Sequence, residues 1–228
     1  MKVQNTRNKD NNVIIGPAVA VDALIFTIRD GDLMVLLIKI GSGPYKNKWA
    51  LPGGIVQIDE TLDDTAKRVL KEKAGVRGIY MEQLYAFSEL KRDIRWRMIS
   101  VAYFALVNSD KINLKTMDYY SDIDWIKVSK LPKMAFDHKK IIKYGLKRLR
   151  AKIEYTNIVY GLLGDEFTLT ELQNVYEIIL NQKIDKRNFR KKILSMNLLE
   201  ETKKIKRGLK HRPAKLYRFK DRKLIFTK

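Results

Sequence analysis

The chain is 228 residues long and 45% hydrophobic, enough for one large or two modest packed domains. No cysteine, no long apolar run and no basic–apolar–small leader over Met1–Gly16 occurs, so neither disulfides, export nor a membrane span is predicted, and a cytoplasmic protein is expected. The formal charge of +20, from 46 basic and 26 acidic side chains, favours a polyanionic partner, and the excess peaks at 15 basic against 3 acidic residues between Lys183 and Lys220. A lysine-rich composition with no such partner is the plainer alternative.

Met1–Asn12 is polar and receives no predicted structure. Ala18–Thr27 and Leu33–Ile40 are β-rich and flank Asp30-Gly31, a hairpin signal. After a loop at Gly41–Lys48, the sequence Trp49-Ala-Leu-Pro-Gly-Gly54 leads into a predicted helix at Thr61–Ala74. There Leu62, Ala66 and Leu70 recur at helical spacing and Gly75 stops the run. Further strands are predicted near Met81–Leu90, Ile99–Val107 and Ile123–Ile126, and a closing helix at His138–Arg150, apolar at Ile141, Ile142 and Leu149. These elements make a mixed α/β sheet domain over residues 1–150.

The stretch Gly54–Val76 closely resembles the signature box of the Nudix hydrolases. Gly54, Glu60, Arg68, Leu70, Glu72, Gly75 and Val76 fit the pattern, while Val69 and Lys73 stand where the family places glutamates. Positions 69, 72 and 73 lie at i, i+3 and i+4, so they are predicted to share one helix face. The resemblance implies an α/β/α sandwich and, in the enzymes, a carboxylate-held Mg²⁺ that clamps a diphosphate and activates water. With Val69, Glu72 and Lys73 that face carries no net charge. A lysine about 4 Å from a divalent ion is repelled by several kcal/mol at an effective dielectric near 20. We therefore expect no catalytic residues, no metal ligands and no required metal. The competing expectation is a Mg²⁺-dependent hydrolase of ADP-ribose or a related nucleoside diphosphate, with Glu72 joined by another carboxylate such as Glu60.

Lys91-Arg92-Asp93-Ile94-Arg95-Trp96-Arg97 is dense in arginine, which suits bidentate phosphate contacts. In Nudix proteins this region borders the substrate cleft. Arg92, Arg95 and Arg97, with Trp49, Glu72 and Lys73, are thus the candidate ligand-binding residues; a basic hairpin tip exposed to water is the alternative. His138 is read as a structural helix-start residue rather than a base.

Residues 151–228 read as a second domain, joined through a charged helix with no Pro/Gly-rich linker. Ile153–Leu163 is predicted as a first helix. Thr168-Leu-Thr-Glu171 is a capping box opening a second, and Asp185 caps a third whose Phe189, Ile193 and Met196 turn inward. Leu198–Ile205 and Ala214–Phe219 read as strands, completing a winged helix-turn-helix. In that motif the last helix enters the major groove and the wing reaches the backbone. Lys186, Arg187, Asn188, Arg190 and Lys191 on the helix, and Arg207, Lys210 and Arg212 in the wing, are the candidate DNA-binding residues, with Leu194 expected to tuck beneath the wing. A basic helical domain for RNA or protein contacts is the alternative.

The whole chain from about Pro17 to Phe219 resembles the Nudix-related transcriptional regulators of the NrtR type. The resemblance rests on the altered box, on Phe167-Thr-Leu-Thr-Glu-Leu-Gln173, on Asp185-Lys-Arg-Asn-Phe-Arg-Lys-Lys192 and on Arg212-Pro-Ala-Lys-Leu-Tyr-Arg-Phe219. It implies a bacterial homodimeric repressor of operator DNA whose Nudix domain senses a small-molecule effector, commonly ADP-ribose in NAD metabolism, or a pentose.

Overall fold

The computed structural model describes residues 16–75, 79–108, 112, 114, 120–206 and 213–226. The expectations for Met1–Asn12, Val76 and the wing-tip residues Arg207, Lys210 and Arg212 lie outside the described residues.

β1 (Ala18–Arg29) and β2 (Asp32–Ile40) form an antiparallel hairpin whose turn residues Asp30 and Gly31 have φ of 51° and 77°, the two positive values that an Asp-Gly turn supplies. β1 is shared lengthwise. Its first residues pair with β4 (Gly53–Ile55) and its last with β2, while β6 (Met98–Leu106) runs parallel along its other edge. β3 (Trp49–Ala50), β5 (Met81–Phe87) and β7 (Tyr120–Lys127) complete a seven-stranded mixed sheet. The two- and three-residue strands β3 and β4 carry no periodicity of their own and lie within the lead-in to the box.

Alternation along β1 sets the layers. Val21, Ala23 and Ile25 pack towards α1 (Leu62–Ala74), with Ala66, Val69 and Leu70. Leu24 and Phe26 pack towards α2 (His138–Tyr155), with Ile141, Ile142 and Leu149. This is the expected α/β/α sandwich. Gly145 lets α2 lie close to the sheet, since a Cβ there would stand 2.1 Å from Leu24 Cδ2.

The structure differs from the sequence reading at the junction. α2 runs through residue 150 and ends at Tyr155, followed by a 3₁₀ turn at Ile158–Gly161 instead of a helix over Ile153–Leu163. The break is made by Thr156 and Asn157. Thr156 is extended and turns its hydroxyl back to the Lys152 carbonyl; Asn157 exchanges side-chain hydrogen bonds with the C-terminal segment at Lys223 and Ile225. Residues 150 and 151 lie inside α2, the charged helix through which the two units were expected to join.

β8 (Phe167–Thr168), α3 (Leu169–Leu180), α4 (Lys186–Ser195), β9 (Leu199–Lys206) and β10 (Ala214–Phe219) form the winged helix, its strands ordered β8–β10–β9. Thr168 and Glu171 make the expected reciprocal capping box. Leu172, Val175, Ile179, Phe189, Ile193 and Phe219 join Leu149, Ile153 and the α2 side of the sheet in one apolar cluster, so the two units share a core. No helix of the described residues is long and apolar enough to cross a membrane.

Candidate functional site

Thr61 caps α1 with a capping box to Asp64, and Gly75 closes it at φ 64°. Within this frame Glu60 is a fastener of the preceding loop. Its carboxylate takes a bidentate contact from Arg68 (Nε–Oε1 2.5 Å, Nη2–Oε2 2.8 Å) and accepts from the Gln57 N–H and the Thr65 hydroxyl. Arg68 foremost holds the Glu60 carboxyl down at about 2. The same guanidinium reaches the Ile55 carbonyl, tying loop to helix.

Positions 69, 72 and 73 share one side of α1, and the structure shows what each meets there. Val69 is fully buried in the layer with Ile25, Leu36 and Trp125, and its Cγ2 would stand 3.2 Å from a Cβ on Gly54, so it presents a methyl to the loop where the family pattern has a carboxylate. The 100° step between residues puts it beside Ala66 and Leu70 on the inward stripe, and i,i+3 spacing alone does not reveal where that stripe ends. Lys73 donates to the Gly53 carbonyl and the Tyr120 hydroxyl and lies over the Tyr120 ring, 4.9 Å from its centroid. Burial pushes the Lys73 ammonium pKa down, against the opposing pull of Glu72. Glu72 is exposed and 3.5 Å from Arg68. Among the described residues no group of three or more His, Asp or Glu is placed to hold a metal ion. Around this turn Glu60 is engaged by Arg68, Val69 offers no oxygen, Glu72 is an exposed carboxylate, and Lys73 brings a positive charge onto the Gly53 carbonyl.

The expectation for Arg92 is corrected. Its guanidinium is 3% exposed and sits between Asp137 (2.8 Å) and Asp22 (3.2 Å), making an internal strut and no fork towards a ligand. Ser100 Oγ donates to Asp22 at 2.5 Å, and Nε2 of His138 lies 3.4 Å from the same carboxylate. Burial alone would push the Asp22 carboxyl up, but His138, Arg92 and Ser100 together hold it at about 2. His138 Nδ1 accepts the Leu51 N–H at 2.8 Å, which places the ring proton on Nε2 and gives the residue its structural role. This network fixes the Leu51–Gly53 segment: a Cβ on Gly53 would stand 2.4 Å from Asp22 Oδ1.

Arg95 is the arginine that stays on the rim. It pairs with Asp93 at 2.7 Å, and its guanidinium lies 5.3–5.7 Å from the rings of Trp96, Phe136 and Tyr45. Arg97 turns to the Glu89 and Met98 carbonyls. Trp49 is half-buried, with Lys39 over its ring at 5.9 Å. Tyr120 and the Gly53 carbonyl escaped the sequence reading, because a backbone oxygen and a strand-start tyrosine carry no motif. Asp22 did offer a signal, as the single acid in the apolar run Ala18–Ile28.

In the second unit, Lys186, Arg187, Asn188 and Lys191 are exposed along α4. Arg190 is half-buried, its Nη2 3.5 Å from Thr170 Oγ1 and its Nε buried without a hydrogen-bond partner among the described residues. Leu194 is 48% exposed, not tucked beneath the wing. It lies four residues beyond Arg190 on the outward side, opposite the buried Phe189 and Ile193. The basic residues divide into two groups. Lys206, Lys215 and Arg218 on the wing strands pair with Glu171, Glu201 and Glu200, whereas no carboxylate among the described residues reaches Lys186, Arg187 or Lys191 within ion-pair distance. The turn before α4 is latched by Glu177, which accepts from Gln173, Lys183 and the Ile184 N–H; the Lys183 contact foremost lowers its carboxyl to about 2.

A helix whose outward cations meet no carboxylate among the described residues, set beside the β9–β10 hairpin, belongs to a DNA-binding winged helix, here sharing its core with a Nudix domain. The family descriptions agree: the NUDIX domain matches residues 16–145 and the NrtR DNA-binding winged helix domain residues 159–219. The chain belongs to the NrtR family of Nudix-domain transcriptional regulators. It is 39% identical over 207 residues to an ADPR responsive transcriptional repressor from Acinetobacter baylyi, covering 89% of this chain and 82% of the relative. It also resembles the crystal structure of Shewanella oneidensis NrtR complexed with a 27mer DNA, with a TM-score of 0.79 and 35% identity over 89% of this chain and 93% of that one. An ADP-ribose pyrophosphatase from Methanocaldococcus jannaschii is 36% identical, over 59% of this chain and 76% of its own length.

Proposed function

We propose that the protein is a ligand-controlled transcriptional repressor that binds duplex operator DNA as a homodimer, and whose Nudix cleft holds ADP-ribose without hydrolysing it and without a required metal. The observation that carries this reading is Lys73, whose ammonium sits on the Gly53 carbonyl beside Glu72. A cation built into the chain there attracts a diphosphate but activates no water. Arg95, with Trp96 and Phe136 beside it, is the side chain best placed to add a second phosphate or base contact, one of the three arginines the sequence offered for that role.

A cleft that binds but does not cut leaves its ligand intact to report its concentration. For binding to regulate, ADP-ribose must prefer one arrangement of the two units, and coupling of about 1–3 kcal/mol changes DNA affinity roughly 5–150-fold. α2 connects the two units as one helix, so a shift at the sheet is carried to the winged helix. The test is calorimetry with ADP-ribose in EDTA, with and without operator duplex. Micromolar binding that operator weakens by the same factor by which ADP-ribose weakens operator binding is the expected result. Binding that operator leaves unchanged would remove the coupling, and no binding at all would shift the effector to a pentose. The pyrophosphatase relative motivates a second reading, a hydrolase with an accessory domain. Robust Mg²⁺-dependent release of AMP from ADP-ribose would establish it in place of the first.

A further inference from the structure

The surface of α2 carries charge that the fold does not use. His138, Ile141, Ile142, Gly145, Leu149, Lys152 and Ile153 are its buried face. Lys139, Lys143 and Lys147, all exposed, recur every four residues on another side, followed on the same stripe by Arg150 and Glu154. Other cations of this helix have partners: Lys140 pairs with Glu89, Lys152 with Glu82, and Arg150 donates to the Ile179 carbonyl. No carboxylate among the described residues lies within ion-pair distance of Lys139, Lys143 or Lys147. Like charges four apart oppose helix formation, so this ladder gives the isolated fold nothing.

Its far end shows where it leads. Arg150 lines a cleft of about 720 Å³ together with Asn181, Gln182 and Lys183, the turn immediately before α4. Glu154 lines a second groove with Asn188 and Lys192 of α4 itself. The lysines therefore climb from the flank of the recognition helix onto the Nudix unit. Lys139 to Lys147 spans about 12 Å at 1.5 Å per residue, or roughly three to four steps of a DNA strand at 3.4 Å.

We propose that Lys139, Lys143 and Lys147 form a second DNA contact, a phosphate-binding stripe on the Nudix unit that engages duplex flanking the half-site read by α4. This rests on the winged-helix reading, and it makes the Nudix domain a direct contributor to DNA affinity as well as the ligand-binding unit. Duplex phosphate is the partner that fits: the stripe is lysine, strongly hydrated point charges without a fork geometry, and its only aromatic neighbour in the exposed sequence run, Tyr144, is turned to Tyr85 and Phe87.

The test uses a duplex enriched by the protein itself from a randomised pool, prepared in two lengths: one ending at the outer edges of the half-sites, one with ten further base pairs on each side. Lys143→Gln with Lys147→Gln is compared with Lys67→Gln with Lys71→Gln, an equal charge change on α1, across the sheet. On the long duplex the α2 variant should lose about 10-fold or more in affinity, and its salt dependence should become shallower by about 0.9 for each phosphate contact removed. On the short duplex it should match the α1 control within about twofold. Equal losses for the two variants, or equal losses on the two lengths, would overturn the proposal while leaving the winged helix intact. Failure of the unmodified protein to enrich or bind any duplex would bring down the winged-helix reading itself, and this inference with it.

Discussion

Lys73 Nζ donates to the carbonyl oxygen of Gly53, so the last turn of α1 is fastened to the strand that opens the Nudix loop by the side chain standing in a glutamate position of the family box. Its neighbour in the altered box, Val69, plays a different part: it belongs to the apolar layer with Ile25, Leu36 and Trp125. The two departures from the box are thus unequal, one a half-buried charge tied to the loop and the other a core residue.

Restoring the box by substitution should show this inequality. Lys73→Glu, at a half-buried position, should fold and gain Mg²⁺ affinity by calorimetry. Val69→Glu should cost about 3 kcal/mol or more in urea denaturation, because it places a carboxylate in an apolar layer. Magnesium should recover part of that loss in the double variant. A Val69→Glu protein as stable as the parent without metal would mean that the loop, not the helix, is what excludes the ion.

The Arg92 strut predicts a fold defect rather than a binding defect. Arg92→Met leaves Asp22 and Asp137 buried without their shared cation, and breaking such a pair from one side typically costs about 3–5 kcal/mol. The Asp22 carboxyl, held at about 2 in part by Arg92, should rise, so the variant's deficit should narrow as pH is lowered from 7 to 5. Denaturation at both pH values measures this. A loss below about 1 kcal/mol, with weakened ADP-ribose binding, would return Arg92 to the ligand site.

Much of the architecture was legible because it rests on repeating patterns. Alternation in Ala18–Ile40, Asp-Gly at the hairpin, the Thr168–Glu171 capping box and the Asp185 cap each act through neighbours in sequence. What escaped notice acts across the fold. Nothing near Arg92 in sequence marks it as the partner of two aspartates, one 70 residues before it and the other 45 after. Leu194 was misplaced because a helix stripe gives spacing without the position of the layer it meets. Counting charge between Lys183 and Lys220 also does not distinguish paired from unpaired cations: Lys215 and Arg218 are matched across β9 and β10 by Glu201 and Glu200, and Lys204 and Lys206 by Glu166 and Glu171.

Acid should loosen the molecule through its paired carboxylates. Glu60 and Glu177 have folded values of about 2, below the ordinary glutamate value near 4.5. A depressed folded pKa means stability that is present above the unfolded value and lost as pH falls towards the folded one. Thermal midpoints should therefore drop between about pH 4.5 and 2. Glu177→Gln should have a lower midpoint at pH 7 and a smaller drop over that interval, because the latch on the turn before α4 no longer titrates. Parallel curves for the two proteins would assign the acid sensitivity elsewhere.

The division of basic residues between α4 and the wing strands separates reading from holding. Arg187 is exposed, unpaired with any described carboxylate and in the first turn of α4, where a guanidinium can meet a base edge; Lys191, one turn further, can offer only a point charge. Arg187→Ala should cost about 1–3 kcal/mol on the enriched operator, roughly 5–150-fold, and much less on random duplex. Lys191→Ala should weaken both DNAs alike. Lys215→Ala should change little, since Glu201 already neutralises that ammonium at 2.8 Å. Arg190→Ala differs from all three, because its half-buried side chain reaches Thr170 at the start of α3: it should lower the thermal midpoint as well as operator affinity. Gel-shift titrations on the two duplexes, with melting curves for each variant, give the comparison. Equal losses from Arg187→Ala and Lys191→Ala on both DNAs would mean that α4 grips the backbone and that another element reads the sequence.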